Sequence, residues 1–203
     1  MQYSKYLLLV FFYFLLFQKS TAQDFFMEAG IGIGNITGKE HKLGKSEIHL
    51  NIFRSFKFGQ LGLDFSTGGN FIPGESTTTE PGVEVLSAAD SKFSSVVLLY
   101  RLPIKNHFFI EPRLGYASLS AFVHTDDKTK INESNLSAGI GFGGTIKKLT
   151  LSLRYQYLGK TAEYEGSKDS IVVKSFSEQV SLVLLRISYC FDLNSIFKKN
   201  NNF

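Results

Sequence analysis

The chain has one cysteine, no tryptophan, four prolines and four histidines in 203 residues. A lone Cys190 excludes an internal disulfide and any multi-cysteine metal site. The histidines at 41, 49, 107 and 124 are too scattered to form a ligand pair, so neither a metal nor a cofactor is expected. Cationic runs are also missing. No Lys/Arg stretch exceeds the pairs Lys147-Lys148 and Lys198-Lys199, so the sequence pI of about 9.0 does not point to nucleic acid. Past the N-terminus no apolar stretch approaches the ~20 residues of a spanning helix, which leaves strands as the only means of crossing a bilayer.

The N-terminus has the layout of a secretory signal. Lys5 precedes the apolar run Tyr6 to Phe17, and small residues at Ser20 and Ala22 stand before Gln23. Cleavage ahead of Gln23 removes Lys5 and Lys19 and lowers the formal charge from +4 to +2. The expected organisation is therefore a signal peptide over 1–22, one domain over 23–191 and a polar tail over 192–203.

That domain is a succession of strand-like segments: Asp24–Ile36, Ser46–Lys57, Gln60–Phe71, Lys92–Ile104, Phe108–Phe122, Glu133–Ile146, Leu149–Tyr164 and Phe176–Phe191. Each meets the ~9–11 residues a tilted strand needs to cross a bilayer and exceeds the ~5–6 usual in soluble sheets. Tight connections around Phe58-Gly59, Lys105–His107 and Lys147-Lys148 alternate with long polar ones at Thr37–Lys45, Ile72–Ser91, Val123–Asn132 and Glu165–Ser175. Short turns at one end and long loops at the other are the layout of an outer-membrane barrel. The expected fold is all-β, an eight-stranded antiparallel up-and-down transmembrane β-barrel in the outer membrane.

Side chains alternate across a strand, so the two faces separate by parity. Phe108, Ile110, Pro112, Leu114 and Tyr116 oppose Glu111, Arg113, Gly115 and Ala117; Leu149, Leu151, Leu153 and Tyr155 oppose Thr150, Ser152, Arg154 and Gln156. A polar face that bears full charges and glycines reads as a lumen, with the apolar face turned to lipid. Aromatics gather at both ends of the apolar face, with Phe25, Tyr100, Phe108, Tyr189 and Phe191 beside the short turns and Phe71, Phe93, Phe122 and Tyr157 toward the loops.

The first-strand motif Gly30-x-Gly32-x-Gly34, the Ala22-Gln23 ending of the leader and the segment Ser95 to Ala117 (SVVLLYRLPIKNHFFIEPRLGYA) carry a family likeness. With them the chain resembles the small outer-membrane β-barrel ("porin family") proteins common in Bacteroidetes, related in architecture to the OmpA and OmpX barrels. The resemblance implies outer-membrane lipids as surroundings and the outer-membrane assembly machinery as a partner during biogenesis. It also implies a terminal aromatic as the assembly signal. Tyr189-x-Phe191 fits, although a polar tail continues to Phe203.

The inward face assembles one constellation: Glu28, Asp64 and Glu111 with Arg101, Arg113, Arg154 and Arg186. An eight-stranded lumen is just wide enough to fill with side chains, so these charges are expected to pair as a structural plug. Arg186 lies near the end of Val180 to Ile187, which is apolar on both parities, so alternation there leaves either face open. Catalysis has only a thin basis: Ser118 or Ser120 with His124 and Asp126 or Asp127 would have to converge at the loop rim. The glycines Gly139, Gly141, Gly143 and Gly144 precede no helix and serve curvature rather than phosphate. Three functions fit such a barrel: a non-enzymatic envelope protein acting through its external loops, a narrow pore for small solutes, or a lipid-modifying enzyme. The acidic connection Ile72–Ser91, with Glu75, Glu80, Glu84 and Asp90 and no Lys or Arg, is the expected contact for a surface ligand.

Overall fold

A computed structural model describes residues 25–37, 44–70, 77–80, 83–86, 92–105, 107–122, 130–168, 171–175 and 177–193. They form β1 (Phe25–Thr37), β2 (Gly44–Phe56), β3 (Gly59–Asn70), β4 (Thr77–Glu80), β5 (Val83–Leu86), β6 (Lys92–Lys105), β7 (Phe108–Phe122), β8 (Lys130–Ile146), β9 (Leu149–Lys160), β10 (Tyr164–Lys168), β11 (Ile171–Ser175) and β12 (Gln179–Asp192). Eight of these close a barrel in the order β1-β12-β9-β8-β7-β6-β3-β2. Every pairing in it is antiparallel, and β12 seals it against β1 with Glu28 opposite Cys190 and Gly32 opposite Arg186. Closure leaves no barrel edge unpaired.

The alternation of each strand fixes its faces. Ile31, Ile48, Leu114, Tyr116, Leu136, Ile140, Leu151 and Leu153 are exposed on the outside, whereas Glu28, Asp64, Glu111, Arg113 and Arg154 are buried inside. Such an inversion is stable only where hydrocarbon rather than water bathes the exterior. The short turns hold where the sequence predicts them. Phe56 pairs with Gly59, and Ile146 with Leu149 across Lys147, whose φ of 57° is the left-handed conformation the tight turn requires. A hydrogen bond of 2.9 Å from Thr145 N to His107 O ties two neighbouring turns.

Strand ends depart from the expected bounds by a few residues. β9 stops at Lys160 rather than Tyr164: Leu158 stands opposite no residue of β12, and Gly159 adopts a φ of +109° that a side chain would resist. The larger difference lies in two of the long connections. Ile72–Ser91 and Glu165–Ser175, expected as polar loops, hold β4, β5, β10 and β11, which form a second sheet in the order β10-β11-β5-β4. Each connection folds on itself as an antiparallel pair, and the two pairs join through parallel β11 and β5, with Val172 beside Val83 and Ser175 beside Leu86. The β-branched runs Thr77-Thr78-Thr79 and Ile171-Val172-Val173 favour extended backbone, although neither is long enough to span a bilayer. The connections around residues 38–43 and 123–129 lie outside the described residues, as do the leader and the end of the tail.

Candidate functional site

Four carboxylates and four guanidinium groups meet inside the barrel: Glu28, Glu47, Asp64 and Glu111 with Arg101, Arg113, Arg154 and Arg186, all buried. Their formal charges cancel. Toward the short turns, Arg101 grips Glu28 with two bonds (Nη1–Oε1 2.8 Å, Nη2–Oε2 2.9 Å) and donates from Nε to Glu111 at 2.9 Å. Its guanidinium is also sandwiched between the rings of Phe53 and Phe109, each 4.2 Å from the centroid. Arg113 links this group to the next, pairing with Glu111 through Nη1 and with Asp64 through Nη2 at 2.7 Å. Asp64 further accepts from Arg186 Nη1 at 2.5 Å, and Glu47 is shared by Arg186 and Arg154, the latter at 2.5 Å. Such an array offsets the desolvation cost of each ion only because every charge has an opposite one in contact.

Glycines make the room. A Cβ on Gly32 would stand 2.9 Å from Glu47 Cγ and 3.2 Å from Arg186 Cγ, and one on Gly30 would stand 2.9 Å from His49 Cε1. Gly30 and Gly32 thus let His49 and Glu47 of β2 reach Ser188 and Arg186 of β12 over the intervening β1. Above the ions, Gln156 donates to Ser137 Oγ (2.6 Å) and the hydroxyls of Ser66 and Ser95 lie 2.7 Å apart.

Toward the long connections the lumen turns apolar, as Phe93, Ala117, Leu119, Leu158, Val180, Leu182 and Leu184 pack into one buried cluster, with Ile36 against it. A wholly polar inward face does not describe this end. Phe93 points inward and caps the lumen instead of joining an aromatic girdle outside, because it shares parity with Val97, Leu99 and Arg101, all buried. The same layer resolves β12: Val180, Leu182, Leu184 and Arg186 face in, while Leu185 and Ile187 face out.

All seven residues singled out from the sequence therefore converge in the lumen. Glu47 escaped notice, although its alternation with Ile48 and Leu50 along β2 placed it there. The seryl candidates for a rim catalyst do not turn inward. Ser118 and Ser120 share the outward parity of β7 with Leu114 and Tyr116, and His124, Asp126 and Asp127 lie outside the described residues. A second Ser–His–acid arrangement sits in the lumen itself, where His49 Nε2 lies 2.8 Å from Ser188 Oγ and His49 Nδ1 lies 3.6 Å from Glu47 Oε1. All three are buried, and Glu47 is held by two arginines. No substrate carbonyl can approach Ser188, so the contact fastens β2 to β12 over Gly30 of the intervening β1 rather than priming a nucleophile.

Cavities open instead at the short-turn mouth. One of about 510 Å³ is lined by Lys57, Gln60, Arg101, His107, Phe109 and Lys147 among others; a second of about 350 Å³ shares Ser55, Gln60, Arg101 and Thr145 with it. Both end at the Arg101 layer.

No protein-family model matches the chain, and no curated protein matches it. Solved structures do share its fold. Ail, the attachment invasion locus protein of Yersinia pestis, aligns with a TM-score of 0.52 at 14% identity over 83% of this chain and 99% of its own. A further structure of Ail, in complex with the heparin analogue sucrose octasulfate, aligns with a TM-score of 0.50 at 16% identity over the same shares. Neisserial surface protein A aligns with a TM-score of 0.53 at 12% identity over 82% of this chain and 97% of its own. The likeness is one of architecture, that of small eight-stranded outer-membrane barrels.

Proposed function

We propose that this chain is a non-enzymatic outer-membrane barrel, closed to solutes, that meets its surroundings through the sheet built on its long connections. The leader Met1 to Ala22 exports it, the apolar exterior takes up outer-membrane lipid, and the short turns face the periplasm. The observation that carries the reading is the β10-β11-β5-β4 sheet. Two connections distant in the chain pair with each other into one four-stranded sheet, which is more order than a solvated tip needs. Binding residues belong on such elements when the scaffold beneath is filled.

Charge narrows the partner. Ail has been crystallised with a heparin analogue, a polyanion. Here Glu75, Glu80, Glu84 and Asp90 leave Ile72–Ser91 purely acidic, so a bare polyanion is repelled from it. The carboxylates of Ile72–Ser91 suit anionic surface glycolipid bridged by divalent cations, whose hard oxygen ligands they supply, while Lys168 of β10 and Lys174 of β11 put cations on the other half of the sheet. The purified barrel, immobilised, should retain glycolipid vesicles in the presence of Ca²⁺ and release them with EDTA. Replacing residues 75–90 by a Gly-Ser linker should abolish retention while the barrel stays folded; unchanged retention would refute the reading. The pore alternative is tested in planar bilayers, where the closed lumen should give no unitary conductance steps.

A further inference from the structure

The short-turn mouth has a chemistry that the plug does not use. The 510 Å³ cavity lies in the size range of small-ligand sites. Lys57, His107 and Lys147 stand around it, each exposed, with Ser55, Gln60 and Thr145 as further donors. Its own lining contains no carboxylate; Glu28 and Asp192 line the adjoining 350 Å³ cavity on the β1–β12 side. Arg101 at its floor is already neutralised by Glu28 and Glu111, so the excess positive charge is that of the rim. Neither Lys57 nor Lys147 joins an ion pair among the described residues; the Lys57 ammonium rests 5.3 Å over the Phe58 ring. Phe109 and Pro103 supply an apolar wall beside these donors.

We propose that this mouth is a blind binding site for an oxyanion, a phosphate or carboxylate group borne on a small solute or a lipid headgroup, held between Lys57 and Lys147 with His107. Three cationic or donor-bearing groups from three separate turns converge on one concavity that repels cations and cannot pass its guest onward. Charge-assisted bonds from ammonium groups to oxyanions are the strong class of hydrogen bond, and the apolar wall lowers the local dielectric around them. The compartment this site faces rests on the orientation proposed above; the binding itself does not.

The test is a titration of the ¹⁵N-labelled full barrel in an uncharged maltoside micelle with tripolyphosphate, read from amide shifts. Saturable shifts are expected at Lys57, Gly59, His107, Thr145 and Lys147. The double variant Lys57→Gln/Lys147→Gln should weaken binding about tenfold or more, while Lys148→Gln, whose ammonium lies 5.9 Å over Tyr189 at the outer wall, should leave it unchanged. A parallel arm compares phosphatidylcholine nanodiscs with and without phosphatidylglycerol. Shifts at the same amides in that arm alone would assign the oxyanion to a lipid headgroup; shifts with the free anion assign it to a solute. Absence of saturation in both arms, or affinity untouched by the double variant, overturns the site. Because purified protein is used, that failure would leave the outer-membrane orientation standing.

Discussion

Asp64→Asn is the sharpest perturbation of the lumen. Asp64 is fully buried and touches Arg113 at 2.7 Å and Arg186 at 2.5 Å, with Arg154 at 3.8 Å. The substitution keeps the shape and one acceptor but removes the charge. It leaves four guanidinium groups facing Glu28, Glu47 and Glu111, one unbalanced positive charge among buried side chains. Stripping one partner from a buried ionic network costs ~3–5 kcal/mol. Two contacts under 3 Å place Asp64 toward the upper end of that range, since each is worth several kcal/mol even at an effective dielectric of 20. Urea unfolding in lipid vesicles, followed by far-UV circular dichroism because the chain has no tryptophan, measures the loss. The connection variant Lys39→Ala should stay within about 0.5 kcal/mol. Asp64→Asn combined with Arg154→Gln restores the charge balance of the carboxylate–guanidinium array and should recover part of the loss. A cost for Asp64→Asn no larger than that of Lys39→Ala would mean water already solvates the site, which would refute the closed lumen and favour a pore.

Gly32→Ala should cut the folded yield sharply, since the new methyl meets Glu47 and Arg186, whereas Gly141→Ala, 3.4 Å from Glu111 Cβ, should be tolerated; heat-modified mobility on gels compares them. Leu182→Ala, in the apolar cap, should cost ~2–5 kcal/mol in the same urea assay. Protease added to intact cells should cut within 72–91 and spare the turns at Lys57-Phe58 and Lys147-Lys148; cleavage at those turns would invert the proposed orientation.

The strand pattern of the barrel was legible because parity is a local signal. Wherever one face carried Glu, Arg or Gly and the other Leu, Ile or Phe, as in β7 and β9, both the strand and its inside could be read. Parity is silent where both faces are apolar. In β6 and the first half of β12, Phe93, Val97, Leu99, Leu182 and Leu184 turn inward beside outward Val96, Leu98 and Leu185, and only closure of the barrel decides between them. The cap was therefore invisible in the sequence. The second sheet was hidden for a different reason: parallel pairing of Val83 with Val172 joins segments far apart in the chain and leaves no local trace.

The two halves of the lumen answer different threats to closure. Ions alone would seal the barrel only while dry, since each buried pair is favourable only where water cannot compete for its partners. The apolar cluster from Phe93 to Leu184 excludes water from the long-connection end, and the Phe53–Arg101–Phe109 stack does so from the short-turn end. The neutral ion array then needs no counter-ion from outside. With the outer wall apolar and the lumen shut as proposed above, selective contact falls to the two rims. One is a sheet whose β4–β5 half is acidic, the other a lysine-rimmed mouth, so different partners are expected at the two ends. Swapping the charge of one rim, for example by replacing Glu80 and Glu84 with Lys, should leave anion binding at the other untouched. Coupling between them would require the ion array to shift as a unit, and its cross-links through Arg113 and Asp64 oppose that.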